Sequence, residues 1–285
     1  MRHRYGRGIY RRHPEYFKRR RRYTGQELDS GVVYVGDSGE EYGFSDFTEF
    51  DTGTGLPTGM TFYGNAVDVN TGSELGIGDD DNQVDKYFYW DAKSDFQQRA
   101  YGIDFLDSVG FETGEILIRV YVASTPTTGS RHDAGPACWL ENPTSDDAGR
   151  NWLMGTIFAR TVGSDHESGA YALDGTTQSS KVLPADIQVA EVTDKWYWFR
   201  MRIEANGANY NFRTKAWRPG IVNEPAGWDA EATNVSWSGN VGGAIGFGQV
   251  GTQRFLVNKV AWISVSTDPS ATEPPKPGPG RKGYA

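Results

Sequence analysis

Two stretches of this chain narrow its fold more than any other feature. In Glu115–Ala123 (EILIRVYVA), Ile116, Ile118, Val120 and Val122 fall on one side of an extended backbone, with Glu115 and Arg119 on the other. In Trp196–Ile203 (WYWFRMRI), Tyr197, Phe199, Met201 and Ile203 share one side, and Trp196, Trp198, Arg200 and Arg202 the other. Successive side chains of a strand point to opposite faces, so a period of two marks a β-strand. Tyr210–Trp217 and Phe255–Val265 read the same way, with Tyr87–Trp90 and Asn151–Ala159 as further candidates. Asn206-Gly207 supplies the turn before Tyr210. No long amphipathic helix is visible; a short one is expected near Pro184–Glu191. The 36 glycines are more than helices tolerate and suit tight turns between strands. These observations predict an all-β chain folded as a two-sheet antiparallel jelly-roll sandwich. Nine Trp, fifteen Tyr and fourteen Phe supply a core that 37% hydrophobic residues would otherwise leave thin.

The charge is divided as sharply as the pattern. Residues 1–22 hold ten Lys/Arg and one acid, Glu15, a balance of +9 in a chain of −8, which leaves −17 for residues 23–285. Three zones follow: a basic arm over residues 1–23, a body over 24–267 and a Pro/Gly-rich tail over 268–285. The arm and tail are expected to be extended, since five prolines bar the tail from a helix or an interior strand. Arg11, Arg12, Lys18, Arg19, Arg20, Arg21 and Arg22 are the candidate contacts for an anionic partner. Three readings of the arm stand side by side: an anchor on neighbouring subunits, with Arg forks on carboxylates; a nucleic-acid contact by phosphate neutralisation; or a free, solvated tail. The acidic body makes contact with sister copies electrostatically reasonable.

One cysteine, Cys138, excludes an internal disulfide and a multi-cysteine zinc site, and reads as a small buried apolar residue. The N-terminus carries no apolar stretch after Arg11-Arg12, so neither a secretory nor a twin-arginine signal is expected. No run of eighteen apolar residues is present, so no membrane partner is expected. The protein is expected to be made in a cytoplasm.

Signatures of catalysis are sparse. Glycosidic chemistry of the retaining kind needs two carboxylates about 5–5.5 Å apart. Glu49-Phe50-Asp51 is a two-member fragment of such a pattern, and Glu112 and Glu115 have the wrong spacing. No nucleophile elbow, phosphate loop or Cys-His pair occurs. Gly242–Gly248 (GGAIGFG) lacks the helix that a phosphate cradle needs and reads as a bend between strands. Asp79, Asp80 and Asp81 form the best hard-oxygen cluster for calcium, but without the spacing of a calcium loop; an acidic solvated turn is the simpler reading, so no cofactor is expected. The chain reads as a non-enzyme.

The segments DKWYWFRMRIEANG, KAWRPGIVNEPAGW and GGAIGFGQVGTQRFLVNKVAWISVST, within Asp194–Thr267, resemble the closing half of concanavalin A-like lectin/glucanase domains of bacteriophage structural proteins. Ser45–Gly59 (SDFTEFDTGTGLPTG) is similar to their opening motif, and YGIDFLD also fits. This resemblance implies a virion structural or decoration protein, located in the virion, whose partners are other virion proteins and whose lectin-like body adheres to host surface polysaccharide. The alternatives are a polysaccharide-cleaving tail enzyme, lyase or glycosidase, and a capsid-associated protein touching nucleic acid. Trp90, Trp139, Trp152, Trp196 and Trp198 are the candidate glycan contacts. Trp217 and Trp228, around Glu224-Pro225, are expected to pack a hairpin against the sandwich.

Overall fold

The computed structural model describes residues 18–20, 29–35, 39–64, 72–91, 99–122, 132–141, 151–159, 167–174, 177–187, 194–219, 223–237, 239, 241–249 and 257–268. Most of the basic arm, including Arg11, Arg12, Arg21 and Arg22, and the tail from residue 269 lie outside these. The described chain is all-β: two sheets form a sandwich, and among the described residues the only helices are two short 3-10 turns.

The larger sheet has eleven strands. Its main path runs β1 (Lys18–Arg20), β2 (Val32–Val35), β3 (Glu41–Ser45), β18 (Val257–Ser266), β9 (Gly114–Val122), β14 (Lys195–Asn206), β15 (Asn209–Trp217) and β16 (Ala230–Val235). Strand β18 has two partners on its other side. Ile263–Ser266 pair with β3, and Val257–Val260 pair with β7 (Tyr87–Asp91), which carries β6 (Leu75–Gly78) and β4 (Gly53–Thr54). The smaller, seven-stranded sheet runs β13 (Thr177–Asp186), β12 (Glu167–Asp174), β11 (Asn151–Ala159), β10 (His132–Leu140), β17 (Ala244–Gln249), β8 (Arg99–Ile103) and β5 (Met60–Tyr63). Every pairing among the described strands is antiparallel except β1 with β2.

The alternation in sequence becomes the two faces of the large sheet. Ile116, Ile118, Val120 and Val122 of β9 meet Tyr197, Phe199, Met201 and Ile203 of β14 in the core between the sheets, joined by Phe247, Trp90 and Tyr101. Burying each large side chain contributes about 1.5–3 kcal/mol, so this interdigitated layer is the main source of stability. The β14–β15 hairpin closes through Gly207-Ala208, with Gly207 at φ 64°, a conformation open to glycine at little cost.

Two sequence expectations change. Pro184–Asp186 do not begin a helix; they end β13, the outermost strand of its sheet, where a missing N–H is tolerated. Residues 188–191 of that expected helix lie outside the described residues. Gly242–Gly248 is not one bend. Only Gly242 and Gly243 turn, at φ 87° and 100°, and the rest is β17, a central strand. Its glycines serve close packing: a Cβ on Gly246 would lie 1.8 Å from the carbonyl oxygen of Tyr101.

Candidate functional site

The outward face of the large sheet is laid out by strand register. One row across four strands carries Tyr89 (β7), Lys259 (β18), Tyr121 (β9) and Trp196 (β14). The next places Arg119 (β9) beside Trp198 (β14) and Trp217 (β15). Farther along the same strands come Glu115, Arg202, Arg213 and Glu231. One end of the face is therefore aromatic and the other ionic.

At the aromatic end, Lys259 Nζ sits 4.7 Å from the Tyr87 ring centre and 5.1 Å from that of Tyr121. The Arg119 guanidinium is 5.7 Å from the ring centres of both Trp196 and Trp198. Neither cation makes an ion pair among the described residues; each is held against π faces. Burial lowers the pKa of Arg119 to about 10, with Asp81 acting in the opposite direction. The loop before β7 covers the inner part of this end. Val84 packs with Tyr87, Trp196 and Ala261, and Trp196 Nε1 donates to Asp81 Oδ2 at 3.2 Å. The Tyr87 hydroxyl donates to Asp80, which lowers the Asp80 pKa. Tyr121 donates to Asp194 Oδ1 at 3.4 Å.

Tyr89, Tyr121 and Lys259 remain half-buried at the surface of this cluster. Loss of water, and then the neighbouring aspartates, raise the pKa of Tyr87, Tyr89 and Tyr121, that of Tyr121 to about 12. The hydroxyls are thus neutral at ordinary pH, while Asp80, Asp81 and Asp194 offer carboxylate oxygens around them. Apolar ring faces beside strong acceptors and a cationic donor match the needs of a ligand with a carbon face and many hydroxyls.

The ionic end satisfies itself. Glu115 is fully buried and takes Arg200 at 2.5 Å and Arg202 beside it. Arg200 also donates through Nη2 to Glu224 Oε2 at 3.0 Å, and Lys215 Nζ reaches the same carboxylate at 2.8 Å. Lys215 donates further to the Pro225 carbonyl and lies 4.7 Å from the Trp228 ring centre, over which Arg202 also stands. These bonds pin the Glu224–Trp228 segment onto the sheet. Trp217 is buried and stacks on Trp198, so both expected packing tryptophans touch the sheet face.

The other sequence candidates are placed as follows. Trp90 is in the core and donates through Nε1 to Gln249 at 2.7 Å. Trp139, at φ 57°, packs on Trp237, Tyr210 and Phe212. Trp152 lies on the outward face of the small sheet, in a cluster with Tyr63, Leu140, Met154 and three alanines. Trp196 and Trp198 lie on the outward face of the large sheet but are covered there, Trp196 by Val84 and Trp198 by Trp217, and all five tryptophans expected to contact glycan are buried. Asp79, Asp80 and Asp81 turn to three different partners, Thr52, Tyr87 and Trp196. Among the described residues no group of three or more His, Cys, Asp and Glu is placed to hold a metal. Glu49 is tied by Ser30 and Ser45, and burial raises its pKa. Of the basic candidates, Lys18, Arg19 and Arg20 form β1 on the edge of β2.

Sequence reasoning missed Tyr87, Tyr89, Tyr121, Lys259 and Asp194. The available signal was the alternation that puts Arg119 and Tyr121 on the face of β9 opposite Ile118.

No protein-family model and no curated protein sequence matches the chain. Among solved structures, it is similar to a carbohydrate esterase from Shiga toxin-encoding bacteriophage phi24B, at 11% identity and a TM-score of 0.42, over 74% of this chain and 90% of that one. It is similar to the CBM2 module of the evolved Dit of Lactobacillus casei BL23 phage J-1, at 12% identity and a TM-score of 0.39, over 78% and 93%. The potassium-bound carbohydrate recognition domain of Emp46p is similar at 12% identity and a TM-score of 0.41, over 69% and 89%. These are distant likenesses of fold. The class defined by the strand order itself is an all-β sandwich of two antiparallel sheets.

Proposed function

We propose that this protein is a non-enzymatic component of a bacteriophage particle, held there by its Arg-rich arm, whose sandwich adheres to host surface glycan. The observation that carries the glycan reading is the row Tyr89–Lys259–Tyr121. It sets two half-buried rings beside a cation that is without an ion pair among the described residues, and it is bordered by Asp80 and Asp194. A sugar ring lies against such tyrosines through its carbon face, and its hydroxyls donate to the carboxylates. The virion setting is supported by the resemblance of Asp194–Thr267 to phage lectin-like domains and by the +9 arm on a −17 body.

The test is binding of host cell-surface polysaccharide, measured by calorimetry, with reducing-end release followed in the same samples. Binding without release is expected, and Tyr89→Ala with Tyr121→Ala weakens it at least about tenfold, the loss of roughly 1–3 kcal/mol of ring contact. Release of reducing ends overturns the non-enzymatic reading. Binding unchanged in the double variant removes the site from this row.

A further inference from the structure

Arg119 carries a buried charge that no described residue neutralises. It is 3% exposed, its guanidinium makes no hydrogen bond or ion pair among the described residues, and its Nε is buried without an acceptor. Its neighbours are the rings of Trp196 and Trp198. A desolvated cation without a carboxylate partner is a cost to the fold, and an orphaned buried donor calls for a reason. Lys259, on the adjoining row, is half-buried and makes no ion pair among the described residues either.

The cover over this cation is the loop between β6 and β7, residues 79–86. Asp79, Asp80, Asp81 and Asp85 give it four carboxylates. Its ends are fixed: Lys86 Nζ donates to the Phe50 carbonyl at 2.6 Å, and the Tyr87 hydroxyl donates to Asp80. Its middle is held more lightly. Val84 is its one buried residue and packs on Tyr87, Trp196 and Ala261. Asp81 accepts from Trp196 Nε1 at 3.2 Å, and Asp79 accepts from the Thr52 hydroxyl at 3.2 Å on the exposed rim. Asp81 favours the charged form of Arg119 but stops short of an ion pair with it. The loop thus brings a carboxylate of its own toward the buried guanidinium.

With the loop in place, its carboxylates shield both cations from an anion. With the loop swung aside, the groups left facing outward are Arg119 between two indoles and Lys259 between tyrosines. A planar guanidinium takes a carboxylate through two parallel hydrogen bonds, and the rings beside it receive the carbon face of a sugar.

We propose that the aromatic end binds an acidic glycan, one whose sugars carry carboxylates, and that residues 79–86 are a lid in which Asp81 holds the place of the ligand's carboxylate beside Arg119. The inference rests on the reading of this end as the glycan-binding face. Binding exchanges one carboxylate for another near the same cation, so the ligand has to displace only a loop with a single buried residue.

The test is calorimetry on the full chain with host cell-surface polysaccharide, native and after its carboxyl groups have been reduced to primary alcohols. The native polymer is expected to bind at least about tenfold more tightly than the reduced one, and Arg119→Met to weaken native binding by at least about tenfold. Asp81→Ala removes the stand-in carboxylate and Val84→Ala trims the buried anchor; each is expected to tighten native binding about threefold or more, because the open state is then more populated. Urea denaturation checks that every variant is folded. Equal binding of the two polymers overturns the acidic-glycan inference and leaves the glycan reading standing, whereas binding of neither overturns both. Native binding unchanged by Arg119→Met also overturns the inference. Native binding that is unchanged or weakened in either loop variant overturns the lid, since the loop is then a bystander or part of the binding surface itself.

Discussion

The aromatic and ionic ends of the outward face lie on the same strands, β9 and β14, and deal with charge in opposite ways. At the ionic end Glu115 sits between Arg200 and Arg202, and Glu224 between Arg200 and Lys215. Each charge taken out of water there has a partner of the other sign, and the product is a fixed segment, Glu224–Trp228. At the aromatic end Arg119 and Lys259 are held by rings, and the nearby carboxylates are engaged by hydroxyl and indole donors. One end has used its polar capacity in holding the fold. The other keeps one half-buried cation, Lys259, and two half-buried rings at the surface.

Removing the hub of the ionic end breaks this contrast most directly. Glu115→Ala leaves Arg200, 2% exposed, with a buried charge facing a lost partner. The expected cost is about 3–5 kcal/mol in urea denaturation, the range for breaking a buried pair from one side. A loss below about 1 kcal/mol would mean that the cluster is as weak as a surface pair.

Arg119→Met is the matching change at the aromatic end, and its expected effect is much smaller. Arg119 is 3% exposed, and burial already disfavours its charged form. The cation–π contacts offset part of that cost. Methionine keeps contact with the indoles and removes the desolvated charge, so stability is expected to change by less than about 1 kcal/mol in either direction. A loss approaching that of Glu115→Ala would show that the two ends do not differ in the way described.

How far this contrast could be read in advance depends on distance along the chain. The strands β9 and β14 and the division of their side chains were legible, because alternation is a local property. Which face looks outward was not, since β14 carries large aromatics on both: Tyr197 and Phe199 inward, Trp196 and Trp198 outward. The outward tryptophans were expected at a surface; Val84 packs on Trp196, and Lys215, bound to Glu224, stands over Trp217, which stacks on Trp198. The row Tyr89–Lys259–Tyr121–Trp196 joins residues from four distant parts of the sequence, and register between such strands leaves no local mark. The Glu224-Pro225 motif was legible as packing, but its bond to Arg200 needs the fold.

The finest probe of the aromatic end is its alkaline titration. Tyr121 has its pKa raised from 10.0 to about 12, first by burial and then by Asp194. The fold therefore favours the neutral phenol. For an acid whose folded pKa lies above its unfolded value, the stabilisation is complete below the unfolded pKa and is lost as pH rises through the folded one. Stability should thus fall between about pH 10 and pH 12, where the unfolded chain releases the proton and the folded chain retains it. Tyr121→Phe removes this contribution, so its stability relative to the parent should improve steadily across that window, while differing little at neutral pH, where only the long 3.4 Å bond to Asp194 is lost. Tyrosinate absorbance compared between the two proteins reads the same residue directly. A Tyr121 that ionises near its ordinary value would mean that this hydroxyl is open to water, and that the aromatic end is a looser surface than the ring contacts around Lys259 imply.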